Sequence, residues 1–263
     1  MLRFCSLFSG SSGNCTYIET DNAAILIDAG GSAKKIINQL EQINASFKKL
    51  RGIFITHEHF DHISGVKAIA SKLKIPVMAN ADTLKAIWNS FPDMDERLFS
   101  PINNGEAVCS DDFEVCAFST PHDGADSVGY KISIGDKTIT VATDMGYISE
   151  SFMNAAKTSD IVLLEANYDD DMLRCGPYPP FLKKRIAGKM GHLSNADAAQ
   201  AVVHLVNSGT GRILLGHLSQ DNNTPKTANT AVCDMLTKNG INPEKDILLK
   251  IAPRFDVSYV FEI

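Results

Sequence analysis

The sequence lacks any apolar run approaching the length needed to cross a bilayer, and its opening residues Met1 to Gly10 reach turn formers too early for a secretory core. A soluble, unexported, cytoplasmic chain with no membrane partner is therefore expected. No Cys-x-x-Cys pair occurs, because the six cysteines are scattered at positions 5, 15, 109, 116, 175 and 233. A chain of 263 residues can bury a core without disulfide staples, so reduced thiols are expected, with Cys5 and Cys15 as small buried side chains flanking a hairpin turn where they can face one another. Basic residues are outnumbered, 25 against 31 acidic, and the net charge of −6 excludes a broadly basic nucleic-acid surface while allowing a local one. There is no internal repeat, low-complexity tract or linker-like stretch. Residues 1–263 thus read as one domain.

What is present alternates in period. Leu2 to Phe8 and Cys15 to Glu19 read as strands around the loop Ser9-Gly10-Ser11-Ser12-Gly13-Asn14, whose glycines permit a tight turn and whose amides can point at an anion. Ala24 to Ala29 is another strand, Ser32 caps a helix carrying Ile36, Ile37 and Leu40, and a helix, strand and helix follow at Gly65 to Leu73, Ile75 to Ala79 and Asp82 to Asn89. Short strands dominate between Glu106 and Ala142. Alternation then returns, with helices at 150–156, 196–206 and 225–238 among strands at 161–166, 212–216, 247–251 and 257–261. Strands in both halves with helices between them indicate an α/β protein of two sheets covered by outer helices.

The segment Thr56-His57-Glu58-His59-Phe60-Asp61-His62 follows the apolar run Gly52 to Ile55 and holds three of the seven histidines. A lone histidine is ordinarily a surface or satisfied core residue, but such a concentration points to metal binding. His57 and His59, two apart, project from one face at a strand end, whereas Asp61 and His62 come from the following turn of helix. The layout suits two adjacent cations. Further donors terminate apolar strands elsewhere: His122 after Phe118-Ser119-Thr120-Pro121, Asp144 after Thr138 to Thr143, and His217 after Ile213 to Gly216. Loops at strand ends are where sites of sheet proteins are assembled.

His57-x-His59-x-Asp61-His62 followed by His122, Asp144 and His217 resembles the motif series of the metallo-β-lactamase superfamily over essentially the whole chain. The resemblance implies an αββα four-layer sandwich binding two divalent metal ions, zinc or manganese before iron. One ion would take His57, His59 and His122, the other Asp61, His62 and His217, with Asp144 bridging and Asp28 supporting the loop. His59 stands where the oxygen-reducing branch carries glutamate, which favours hydrolysis, and Asp144 disfavours antibiotic cleavage.

Leu163-Leu164-Glu165-Ala166-Asn167-Tyr168-Asp169, Gly191-His192-Leu193-Ser194-Asn195 and His217 to Pro225 are similar to the phosphodiesterase branch that holds tRNase Z and the PhnP-like enzymes. Together with Ser9 to Asn14 they most resemble the WalJ/YycJ exonuclease-like family. That implies a phosphodiesterase or nuclease, 5′ to 3′ exonuclease-like, acting on DNA or RNA by attack of a metal-bridged hydroxide. Asp61 would orient or deprotonate the water and His192 would protonate the leaving oxygen. Asn14, Lys189 and Ser194 are candidates for holding substrate, and Lys183, Lys184, Arg185 and Lys189 form a basic patch before His192. Rival readings are a small-molecule phosphodiesterase, lactonase or thioesterase, or an iron-dependent redox or sulfur-oxidising enzyme.

Overall fold

The computed structural model describes all 263 residues. Three antiparallel strands open the chain, β1 (Arg3–Phe8), β2 (Cys15–Glu19) and β3 (Ala24–Ile27). Alternation follows through α1 (Ala33–Gln42), β4 (Leu50–Phe54), α2 (Phe60–Ile63), α3 (Val66–Leu73), β5 (Val77–Ala79), α4 (Ala81–Ser90) and β6 (Phe99–Pro101). The middle is all strand: β7 (Ala107–Ser110), β8 (Phe113–Ser119), β9 (Val128–Ile134) and β10 (Lys137–Ala142). The remainder comprises α5 (Glu150–Ala156), β11 (Ile161–Glu165), α6 (Asp170–Cys175), α7 (Pro180–Ile186), α8 (Asn195–Asn207), β12 (Arg212–Gly216), α9 (Pro225–Lys238), β13 (Leu248–Ile251) and β14 (Phe261–Glu262). Two seven-stranded sheets of mixed direction result, in the orders β14-β1-β2-β3-β4-β5-β6 and β13-β12-β11-β10-β9-β8-β7. No helix is long and apolar enough to cross a membrane.

The residues fall into two compact units, Met1–Ala117 with Gly124–Val128 and Ala252–Ile263, and Phe118–Asp123 with Gly129–Ile251. In the first, Ser32 Oγ accepts from Lys35 N at 3.2 Å and starts α1, whose Ile36 and Leu40 are buried against the sheet with Leu26, Ile53 and the α3 residue Ile69. In the second, β11 and β12 are parallel, buried on both faces, and accordingly continuous apolar runs. Val162, Leu164, Ile213 and Leu215 pack with Val202 and Leu205 of α8 and Val232 and Leu236 of α9.

Two short helices that apolar periodicity did not announce, α6 and α7, occupy the excursion between β11 and α8. Leu173, Ile186 and Tyr168 give them a small core of their own, joined by Tyr178 and Leu182. Asn167 N donates to Leu193 O at 2.9 Å and Asn195 N to Tyr168 O at 2.8 Å, closing the base of the excursion.

The strand expected over 257–261 is shorter, with only Phe261 and Glu262 paired to β1. Ahead of it Ser258 Oγ accepts from Ser6 N at 3.0 Å, so a hydroxyl takes the place of a ladder carbonyl. Cys5 lies opposite Tyr17 and Cys15 opposite Phe8, so the two buried thiols do not face each other across the hairpin.

Candidate functional site

In the first unit the histidine cluster hangs from the ends of β3 and β4. Asp28 follows β3 with φ 61°, a left-handed turn that aims its carboxylate back at the neighbouring strand end. That carboxylate accepts from Thr56 N at 2.8 Å and Thr56 Oγ1 at 2.9 Å, and holds His62 Nδ1 at 2.7 Å. With Nδ1 engaged, His62 presents Nε2 as its donor atom, the arrangement by which an outer carboxylate orients a metal-ligating imidazole. His57 is buried, its Nε2 is 3.0 Å from His59 Nδ1, and its ring centroid is 4.1 Å from that of His62. Asn14 is buried among them, its Nδ2 lying 3.0 Å from His62 Nε2 and 3.3 Å from Asp61 Oδ2. Two amides of the Ser9 to Asn14 loop are committed internally, Gly10 N to Asn14 Oδ1 and Gly13 N to Gly10 O. Gly30 is required here, because a Cβ would sit 1.6 Å from Asp61 O.

In the second unit four strand ends converge. His122, just past β8, donates from Nδ1 to Gly191 O at 2.9 Å and has Nε2 3.3 Å from Asp123 Oδ1 and 3.7 Å from Asp144 Oδ1. Asp144 after β10 and His217 after β12 both adopt left-handed backbone, φ 59° and 54°. Such strain in non-glycine residues is sustained where surrounding structure over-determines it, characteristically at functional sites. His217 Nδ1 lies 3.1 Å from Asp144 Oδ1 and 3.2 Å from Glu165 Oε1.

Glu165, the last residue of β11, is fully buried and acts as the hub. Its Oε1 is 2.7 Å from His192 Nδ1, while Oε2 accepts from Met145 N at 2.8 Å and Leu193 N at 3.3 Å. Its sequence signal is a charged residue ending the apolar run Ile161 to Leu164. Burial alone would raise the Glu165 carboxyl, yet His192 and His217 hold it below its ordinary value. Burial likewise acts to lower His217, but Asp144 and Glu165 override it and push the imidazole up to about 10. Burial dominates at His122 and lowers it. Ser194 caps α8, accepting from Asp197 N at 3.1 Å and donating to Asp197 Oδ2 at 2.8 Å, and Lys189 is exposed just beyond α7.

Asp144, Glu165, His192 and His217 bring ligand atoms within 4.8 Å of one another. Buried carboxylates among imidazoles concentrate negative charge that a divalent cation would neutralise, and oxygen and imidazole donors suit zinc, manganese and iron alike. The donor chemistry fits a metal.

The metallo-beta-lactamase superfamily model matches residues 9–217. The exodeoxyribonuclease WalJ of Streptococcus pneumoniae is 37% identical over 238 residues, 90% of this chain and 88% of its own. The exodeoxyribonuclease YycJ of Bacillus anthracis is 36% identical, covering 91% of this chain and 90% of its own. Among solved structures, the metallo-beta-lactamase fold protein YhfI of Bacillus subtilis superimposes over the full length of both chains with a TM-score of 0.73 at 16% identity, a likeness of fold. Two mixed sheets flanked by helices, the strand-end histidines and aspartates, and these matches lead to one assignment: the chain belongs to the metallo-beta-lactamase superfamily and, within it, to the group of WalJ and YycJ.

Proposed function

We propose that the protein is a dinuclear metal-dependent phosphodiesterase that degrades DNA from an end, a 5′ to 3′ exonuclease. The observation carrying this reading is the match to two exodeoxyribonucleases over nine-tenths of the chain, in which the histidine and aspartate series lies. One cation would be held by His57, His59 and His122 and the second by Asp61, His62 and His217, with Asp144 shared, as the family resemblance implies. When bound, divalent cations lower the pKa of water and neutralise charge on the attacked phosphoryl group.

The chain's own residues divide the proton work. His192 has Nδ1 2.7 Å from the Glu165 carboxylate, which fixes the ring and leaves Nε2 as the nitrogen that, as general acid, gives a proton to substrate. The leaving oxygen of the scissile phosphodiester receives it. Glu165 is a positioning residue in this scheme, fixing the orientation of the ring. Asp61, half-buried beside His62, takes the proton from the attacking water. Lys189 pairs with a substrate phosphate, while Asn14 and Ser194 act through the groups they hold, His62 and the start of α8.

End-labelled single-stranded DNA, duplex DNA and RNA incubated with metal-loaded protein provide the test. Stepwise release of nucleotides from 5′ ends is expected, abolished by His59→Ala and by Asp144→Ala. Absence of cleavage, or cleavage surviving either substitution, defeats the reading. The net charge of −6 favours a second reading, a small phosphodiester, lactone or thioester as substrate, which hydrolysis of bis(p-nitrophenyl) phosphate without affinity for oligonucleotides would support. Iron as the metal of the purified protein, measured by elemental analysis, would point to redox chemistry instead.

A further inference from the structure

Between Asp171 and Asp197 the sequence contains no acidic residue, yet it carries Arg174, Lys183, Lys184, Arg185 and Lys189, a local charge of +5 in a chain of net −6. Three of these groups are already engaged. Arg174 pairs with Asp171 at 2.6 Å, Arg185 Nε with Asp123 Oδ2 at 2.7 Å, and Lys183 Nζ donates to Arg174 O at 2.7 Å. Lys184 and Lys189 are exposed and make no ion pair. On α7, Leu182 and Ile186 turn inward to the small core with Tyr168 and Leu173, which leaves Phe181, Lys184 and Arg185 together on the opposite face at spacings of three and four. Phe181 is 76% exposed and makes no ring contact. An exposed aromatic ring amid uncommitted cations is the combination that holds unpaired nucleic acid, because any base offers a flat face and each phosphate a charge.

Position ties this face to the chemistry. His192 N donates to Ile186 O at 2.9 Å, so the last turn of α7 is hydrogen-bonded to the backbone of His192 itself. Gly191 N donates to Gly188 O at 2.9 Å, and a Cβ on Gly191 would lie 2.2 Å from Ile186 O and 2.3 Å from Arg185 O, so the link is too close for any side chain. Resting on the nuclease reading above, we infer that α7 is the grip for a single strand: a nucleobase stacks on Phe181 while Lys184 and Lys189 hold the phosphates between that base and His192. The rest of the chain is net acidic and repels a phosphate backbone, which confines the strand to this path. Duplex DNA hides its base faces and cannot use the ring.

The test is fluorescence anisotropy of a labelled phosphorothioate single strand, which resists cleavage, with the protein as purified and with its variants. Phe181→Ala is expected to weaken binding roughly tenfold and Phe181→Trp to preserve it. Lys184→Ala should reduce the slope of log affinity against log salt by about 0.7, the release expected for one single-strand phosphate contact. Duplex of the same length should bind equally to Phe181→Ala and to the unaltered protein. If the unaltered protein binds neither single strand nor duplex, the nuclease reading falls and the grip with it; if it binds duplex but no single strand, the grip alone is overturned. If it binds and Phe181→Ala binds as tightly, or Lys184→Ala keeps the full salt slope, the grip alone is overturned.

Discussion

At the scale of single residues the second unit is organised around Glu165, a fully buried carboxylate that touches two histidines and two backbone amides. Replacing it by glutamine keeps the shape and removes the charge that supports His192. We expect Glu165→Gln to slow DNA hydrolysis by about two orders of magnitude. The loss should be smaller for bis(p-nitrophenyl) phosphate, whose leaving group needs no proton, so steady-state rates on both substrates check the assignment. His217 yields a pH prediction for protein stripped by a chelator. Its folded value is raised to about 10 from 6.5, so its contribution to stability is complete below pH 6.5 and is lost as pH rises towards 10. Urea midpoints across that range should decline, and adding metal at neutral pH should release protons into a dilute indicator buffer. The strand-end histidines and aspartates were legible because each breaks an apolar run with a polar group. The hub role of Glu165 is not legible in that way, because nothing in a linear sequence shows that His192, 27 positions on, folds back against it.

At the scale of elements, tight turns deliver the side chains. Gly30 brings the turn after β3 against the backbone of Asp61, and Gly30→Ala would force the two apart by displacing the Asp61 carbonyl. Soluble Gly30→Ala is expected to lose bound metal, measured by elemental analysis, before it loses helix content by circular dichroism. Ser194→Ala removes the α8 cap and should cost about 1 kcal/mol in urea denaturation. Several segments were readable from the sequence: the bounds of β10, α5, β12 and α9 follow directly from periodicity and capping. The short helices α6 and α7 were not, since Gly176, Pro177, Pro179 and Pro180 between and at the start of them read as a loop. Their helicity rests on a tertiary core of five side chains.

At the scale of the whole molecule, six free cysteines and no disulfide mean that covalent cross-links contribute nothing to stability. A reductant should leave the melting temperature unchanged. Cys109 and Cys175 are exposed and should react fast with a thiol reagent in the native state, whereas burial pushes the Cys5 and Cys15 thiols up and shields them until denaturation exposes all six. The two sheets, each with its own core, leave α6 and α7 outside both cores. Their excursion is zipped shut at its base by backbone bonds joining Asn167 to Leu193 and Tyr168 to Asn195, so its two ends are already held in place without it. A loop so anchored is a natural point for exchange: a longer, shorter or differently charged insert between Asp169 and Gly191 would graft a new substrate preference onto an unchanged hydrolytic scaffold, without replacing one metal-ligand candidate.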